Sequence, residues 1–345
     1  MEKSYSLKEL GWKNYFQQQI TLDEWDTVTP ARVTGIERSI VQFHLERGVL
    51  QLPNMPNYQP MTVGDWILID DSERITRVLE RQSLFARKAA GTNISTQLIA
   101  SNIDTAFIVT SLNHDFNLNR LERYLSMCYE ADVTPVLLLT KVDSCDDVDS
   151  FLNQTKQLGS LSVITVNSLE NSSVDQLKEW CGIGETVVLI GSSGVGKSTI
   201  ANTLLGSSVQ NTQAIREDDS KGRHTTTSRS IHFIPDGGIL LDTPGMRELQ
   251  LTDCQTGVDE TFQEIALLAQ RCRFSDCQHE TEPGCAVIQA IEQGELDHRR
   301  LNSYNKLMRE QAQNSASLAE KRAKDKAFGK MVRTALSEKA RLESN

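Results

Sequence analysis

The 345-residue sequence lacks the marks of several large protein classes. No apolar run approaches the roughly 18 residues that a membrane-spanning helix needs. The longest apolar pieces, such as Val136–Leu139 and Val187–Ile190, are strand-sized. The first residues, MEKSYSLKELGWKNYF, contain no apolar stretch of the kind that directs secretion. Seven cysteines are too few to staple a chain of this length, so a disulfide scaffold is excluded. Positive charge is in deficit, with 36 Lys and Arg against 46 Asp and Glu, so the molecule as a whole does not have the charge of a nucleic-acid binder. Internal repeats and low-complexity tracts are also missing. The expectation is a cytoplasmic, non-membrane protein of two or three domains, at roughly 150 residues each.

The positive charge present is concentrated at one end. Residues 299–345 carry twelve Lys or Arg against five Asp or Glu, leaving the rest strongly acidic. Such a tail suits contact with a polyanion, and equally a solvated helix, because its charges alternate at helical spacing.

Along the chain, residues 1–26 form an amphipathic N-terminal extension with Trp12, Tyr15, Phe16 and Trp25 as candidate anchors. Between Thr27 and Lys88 the segments ARVTGI, SIVQFHLE, GVLQL, DWILID and ERITRVLE alternate with Gly, Pro and Asn turns. Five short strands at this spacing suggest a small β-barrel, and an OB-type barrel is the member of that class that commonly binds oligonucleotides. Its charge is nearly balanced, eight basic against seven acidic residues. From about Ala100, apolar runs at Ile103–Thr110, Val133–Thr140, Leu161–Val166 and Thr186–Ile190 alternate with helical stretches. That is the pattern of βαβ units around a parallel sheet. Beyond Thr252 the pattern is helical, interrupted by a Cys/His cluster. The expected domains are the extension 1–26, an OB-like RNA-binding barrel 27–90, an α/β nucleotide domain 91–255, and a helical metal-binding domain with basic tail 256–345.

Gly191, Ser192, Ser193, Gly194, Val195, Gly196, Lys197, Ser198 and Thr199 match G-x-x-x-x-G-K-[ST] between a strand and a helix. Glycines let the backbone curl around phosphates, and successive N–H groups and the helix N-terminus face the anion. Lys197 would reach the β- and γ-phosphates, and the Ser198 hydroxyl would bind Mg²⁺. Asp242-Thr-Pro-Gly245 follows an apolar strand, where a D-x-x-G turn meets the γ-phosphate: Asp242 would hold Mg²⁺ through water and the Gly245 N–H would bond the phosphate. Thr140-Lys141-Val142-Asp143 ends another strand as [NT]-K-x-D. A carboxylate there accepts N1–H and N2–H₂ of guanine, which adenine does not offer. Asn167 and Ser168 stand where a companion loop meets guanine O6.

Between these motifs Gly222-Arg-His-Thr-Thr-Thr227 lies in a polar stretch, and Thr226 is the candidate for Mg²⁺ and the γ-phosphate. Met246 occupies the place after the D-x-x-G glycine where Ras-like enzymes hold a water-orienting Gln. Methionine cannot orient water, so intrinsic hydrolysis should be slow. His224 is the available replacement, since a neutral imidazole accepts a hydrogen bond from attacking water. Cys272, Cys277, His279 and Cys285 place four soft ligands within fourteen residues, a donor set that suits one structural, tetrahedral Zn²⁺. The other cysteines, Cys128, Cys145, Cys181 and Cys254, are isolated.

The motif order is unusual, because the guanine motif precedes the phosphate loop. A sheet can keep its arrangement when the chain is cut elsewhere, since nucleotide sites depend on position in the sheet. The order T-K-V-D, G-S-S-G-V-G-K-S-T, G-R-H-T-T-T, D-T-P-G, with an OB-like start and a Cys/His cluster, resembles the RsgA (YjeQ/YloQ) family of circularly permuted GTPases over roughly residues 28–310. The resemblance implies slow GTP hydrolysis stimulated by the 30S subunit, binding to 16S rRNA late in small-subunit maturation, and help in releasing ribosome-binding factor A. It implies Mg²⁺ with GTP, one structural Zn²⁺, and a catalytic role for His224, which matches the family's switch histidine. A monomer is expected. The competing reading is a GTP-gated RNA-binding scaffold in which hydrolysis is incidental.

Overall fold

The computed structural model describes residues 4–88, 96–206, 229–235, 237–242 and 254–315. After a short helix α1 (Asn14–Gln17), five antiparallel strands follow: β1 (Val28–Ile36), β2 (Ile40–Leu45), β3 (Gly48–Pro53), β4 (Trp66–Asp70) and β5 (Ile75–Val78). They pair in the order β3-β2-β1-β4-β5, the OB-like arrangement in which the first strand has the second and fourth as neighbours. Ala31, Val33, Val41, Phe43, Leu45, Ile67 and Ile69 fill one side of this sheet. Both faces of β1 are buried, because the residues before it fold back over the outside. Leu10 and Phe16 pack there on Trp66, Leu68 and Leu79. Trp25 does not anchor the extension: it stands 58% exposed, in a turn, while Tyr15 packs edge-on against Phe16 and donates a 3.1 Å hydrogen bond from its hydroxyl to the Arg81 carbonyl.

A hairpin of β6 (Leu84–Lys88) and β7 (Thr96–Ser101), one strand on each side of residue 90, leads into the α/β part. There the chain runs through β8 (Thr105–Ser111), α2 (Leu118–Glu130), β9 (Thr134–Thr140), α3 (Val148–Thr155), β10 (Ser162–Val166), α4 (Asn171–Asp175), β11 (Thr186–Gly191), α5 (Lys197–Leu205), β12 (Arg229–Phe233) and β13 (Ile239–Asp242). The sheet order is β10-β9-β8-β11-β13-β12, parallel except for β12. Every residue of β8 is buried, as a strand covered by helices on both faces requires. Edge strand β12 also bonds to β1 of the barrel, with Gly35 opposite Ser230, so the two sheets are continuous.

The barrel is fastened to the base of β11 by a buried cation. Arg32 of β1, fully enclosed, donates to the carbonyls of Leu10 (2.6 Å) and Asn102 (3.2 Å) and to the Thr186 hydroxyl (2.9 Å). Burial pushes its guanidinium down to about 10, with Asp104 and Asp65 opposing. Beside it Lys13 of the extension reaches Asp104 at 2.5 Å and Glu185 at 3.3 Å.

The C-terminal helices α6 (Gln255–Thr261), α7 (Gln263–Ala269), α8 (Ala286–Glu292) and α9 (His298–Ser315) attach instead to α2. Gly257 lies so close to α2 that a Cβ there would stand 2.0 Å from the Ser126 carbonyl oxygen, which only glycine permits. The Glu122 carboxylate, completely buried on α2, receives Arg299 and Arg300 of α9 at 2.9 Å each, and Arg300 also grips Glu264. Arg123 forks onto Glu310 at 2.7 and 2.6 Å. Among the described residues no helix is long and apolar enough to cross a membrane.

Candidate nucleotide site and metal cluster

Three of the candidate loops leave the same edge of the sheet, at the C-terminal ends of β9, β10 and β11, and Asp242 closes β13 beside them. This is where an α/β sheet presents a ligand to helix N-termini and loop amides. The phosphate loop begins at Gly191, whose φ of +143° and close approach to β8 exclude a side chain: a Cβ would lie 2.2 Å from the Val109 carbonyl oxygen. The loop turns through Ser192 and the exposed Ser193 and Gly194 to Val195, which is buried and acts as its apolar foot. Gly196 at φ +100° then hands the chain to α5. Lys197 folds its ammonium inward, donating to the carbonyls of Gly191 (2.9 Å) and Ser192. Ser198 and Thr199 stand half-buried in the first turn of α5.

The guanine motif is tied to this loop. Fully buried Thr140 donates from its hydroxyl to the Val195 carbonyl at 2.7 Å, so the residue ending β9 fixes the curvature of the loop after β11. Lys141 follows in the left-handed region at φ +59°, a conformation costing roughly 1–2 kcal/mol for a side-chain-bearing residue. That turn starts the short 3₁₀ segment Val142–Ser144 and leaves the Asp143 carboxylate exposed, accepting a 3.0 Å bond from the Ser144 hydroxyl. Such strain, held where the ligand edge begins, is typical of functional loops. After β10, the Asn167 side chain shapes its own loop. Its Oδ1 accepts from the Leu169 N–H at 3.1 Å, and its amide donates to Glu170 at 2.9 Å. Ser168 is thereby set against Gly196, its Oγ 3.4 Å from where a Cβ would stand. The loops carrying Thr140–Asp143, Asn167–Ser168 and Gly191–Thr199 are therefore brought together. Asp242, half-buried, pairs in register with Ser230. His224, Thr226 and Gly245 lie outside the described residues.

One neighbour of this site escapes the sequence. Tyr124, on α2, comes near the Ser192 side chain, and burial raises its phenol above the usual range. In the sequence Tyr124 sits on the apolar stripe of α2 among Leu121, Leu125 and Cys128, where it reads as an ordinary core residue.

Away from this edge the cysteine cluster has converged. The ligand atoms of Cys272, Cys277, His279 and Cys285 all lie within 4.8 Å of one another. Cys272 Sγ is 3.8 Å from Cys285 Sγ and 3.7 Å from His279 Nδ1, which is 3.4 Å from Cys285 Sγ. A tetrahedron with metal–sulfur arms of about 2.3 Å has edges of about 3.8 Å, so these donors fit a single ion. Local structure prepares the ligands. Burial alone would raise the Cys272 thiol, but the N–H groups of Ala286 and Val287, at the start of α8, carry it below its usual value. Burial holds His279 in its neutral, ligating form. Glu282 ties the segment together by accepting from the N–H groups of Gln278 (2.8 Å), Glu280 (2.9 Å) and Thr281 (3.0 Å).

With this geometry described, comparisons with known proteins bear on it directly. The sequence profile of the RsgA GTPase family matches residues 78–252. The chain belongs to the RsgA GTPase family. It is 55% identical over 343 residues to the small ribosomal subunit biogenesis GTPase RsgA 2 of Vibrio parahaemolyticus, covering 99% of this chain and 96% of that one. It is 45% identical over 319 residues to the RsgA of Mesorhizobium japonicum, covering 90% and 92%. Among solved structures, YjeQ from Thermotoga maritima superposes with a TM-score of 0.59 at 22% identity, over 83% of this chain and 99% of that one. YloQ, described as a circularly permuted GTPase, gives 0.60 at 22% identity, over 84% and 96%. The fold is accordingly that of the permuted GTPases, and this RsgA-family chain hydrolyses GTP.

Proposed function

We propose that this GTPase acts in maturation of the small ribosomal subunit, binding the 30S particle and its 16S rRNA in the cytoplasm and leaving after hydrolysis. The observation that carries this reading is the extent of the likeness. Similarity to relatives named for that role runs through the barrel and the C-terminal helices as well as the nucleotide domain. We assign residues 1–26 to bracing the barrel, 27–90 to RNA contact, 91–255 to GTP, and 256–345 to a metal-stiffened helical surface with a basic tail. Release of ribosome-binding factor A and action as a monomer belong to the same proposal.

At the nucleotide site, the N–H groups of Gly191–Thr199 and Lys197 hold the phosphates, Ser198, Thr226 and Asp242 serve Mg²⁺, and Gly245 meets the γ-phosphate. Asp143 reads guanine, Lys141 and Val142 wall the ring, and Asn167 and Ser168 form the loop at O6. Water attacks the γ-phosphorus as the bond to the β–γ bridging oxygen breaks, giving GDP and phosphate. A neutral His224 orients that water, in the place that Met246 leaves unserved. Cys272, Cys277, His279 and Cys285 hold one Zn²⁺, which cross-links a segment with too little apolar surface to fold alone.

The test is GTP hydrolysis by the purified protein alone, with 30S subunits and with 50S subunits. Stimulation by 30S only is expected, and its loss in His224→Ala with GTP affinity retained. Equal rates in all three reactions would replace the enzyme-in-maturation reading with a GTP-gated scaffold. Metal analysis should find one zinc per chain, lost in Cys277→Ser.

A further inference from the structure

The acidic body of the protein contains a local exception. Between the start of α2 and the middle of α9 lies a cleft of about 420 Å³, lined by Asn117, Asn119, Arg120, Arg123, Tyr124, Ser303, Lys306 and Leu307. Three of these side chains are cationic and the polar remainder are amides and hydroxyls; among the described residues no carboxylate lines the cleft. The nearby acids, Asp115 and Glu310, hold the arginines. Arg120 gives Nη2 to the Asp115 carboxylate at 2.8 Å and to its carbonyl. That leaves Nε and Nη1 of Arg120 uncommitted among the described residues. Arg123 is fixed by its fork to Glu310. Lys306 is exposed and makes no hydrogen bond or ion pair among the described residues. Leu307, 4% exposed, forms the floor, and Tyr124 in the wall comes near Ser192 of the phosphate loop.

Pre-positioned guanidinium groups beside an exposed ammonium, with amide and hydroxyl donors between them, match the oxygens of a phosphate group. We propose that this cleft seats a backbone phosphate of RNA, so that a contact on the C-terminal helices is made one side chain away from the loop that holds GTP. The proposal deepens the ribosomal reading above and rests on it.

The test is the salt dependence of 30S binding by the full-length protein, comparing wild type with Lys306→Ala and Lys306→Glu. Each neutralised phosphate contributes about 0.7 to 0.9 to the slope of log affinity against log salt. Loss of one contact should lower the slope by that amount and weaken binding several-fold at low salt, more for Glu than Ala. Lys306 is exposed, and circular dichroism checks that both variants fold. If wild type and variants bind 30S with one slope, the cleft proposal fails while the ribosomal reading stands. If wild type does not bind 30S, both fall together. A second arm titrates the protein with adenosine monophosphate, which the guanine site rejects. Binding that disappears in Lys306→Ala would assign the cleft to a free nucleotide and overturn the RNA assignment.

Discussion

The barrel meets the nucleotide domain at the N-terminal end of β11, through the buried Arg32 and its bonds to Leu10, Asn102 and Thr186. The C-terminal helices meet it on α2, through Gly257, Glu122 and the arginines of α9. The first junction has its buried cation at the end of β11 remote from the phosphate loop, and its strand pairing between β1 and β12 at Ser230, which stands opposite Asp242. The second lies on a helix whose Tyr124 comes near the loop itself. The difference teaches that the two flanking parts are not equivalent. The barrel is braced at the base of β11 and also pairs beside Asp242, whereas the C-terminal part is held through the side of α2.

That contrast can be broken at defined points. The largest effect is expected for Arg32→Ala, which strands buried acceptors and should destabilise by about 3–5 kcal/mol. If its role is bracing, the melting temperature falls while GTP affinity stays within a few-fold; a collapse of GTP affinity would show that the barrel junction also governs the site. Gly257→Ala should follow at about 1–3 kcal/mol, because α6 must back away from α2. Here the signature is the reverse pairing: lower stability together with altered 30S-stimulated hydrolysis, measured against the same variant's unstimulated rate. Thr140→Val removes the bond to the Val195 carbonyl and should cost about 0.5–1.5 kcal/mol, seen as weaker GTP binding by fluorescent-nucleotide titration.

The smallest effect concerns acid. The Arg77 guanidinium, then the Thr21 N–H, hold Glu24 at about 2 against an ordinary 4.5, tying the extension to β5. A carboxylate lowered in this way stabilises the fold above pH 4.5, and the contribution disappears as pH falls toward 2. Tryptophan fluorescence of wild type and Glu24→Gln should therefore differ in midpoint at neutral pH and converge in acid.

Much of this architecture was legible in the sequence because its signals are local. The five barrel strands alternate with turn residues, and the helix after Gly196 begins where the motif requires. Gly191 is glycine for a reason that the spacing already implied. The cysteines could be grouped because their donor chemistry is rare at such density. What was not legible depends on contacts distant in sequence. Trp12 and Phe16 anchor the extension on Trp66 as their composition suggests, but Trp25 faces solvent, and Leu10 takes its place there only after the barrel forms. The pairing of β12 with β1, the second task of Thr140 and the approach of Tyr124 to Ser192 join segments far apart in the chain. No periodicity within either partner encodes them.

The permuted chain also has a mechanical reading. β13 lies hydrogen-bonded directly beside β11, and only residues 243–254 separate its end from α6, the first of the helices that grip α2. A load applied to those helices while they are clamped on a massive particle has two routes inward, through the side of α2 and along the backbone into β13. Both end at strands or side chains that border the phosphate loop. Here the strand that carries Asp242 is also the cable by which an outside body can pull on the nucleotide.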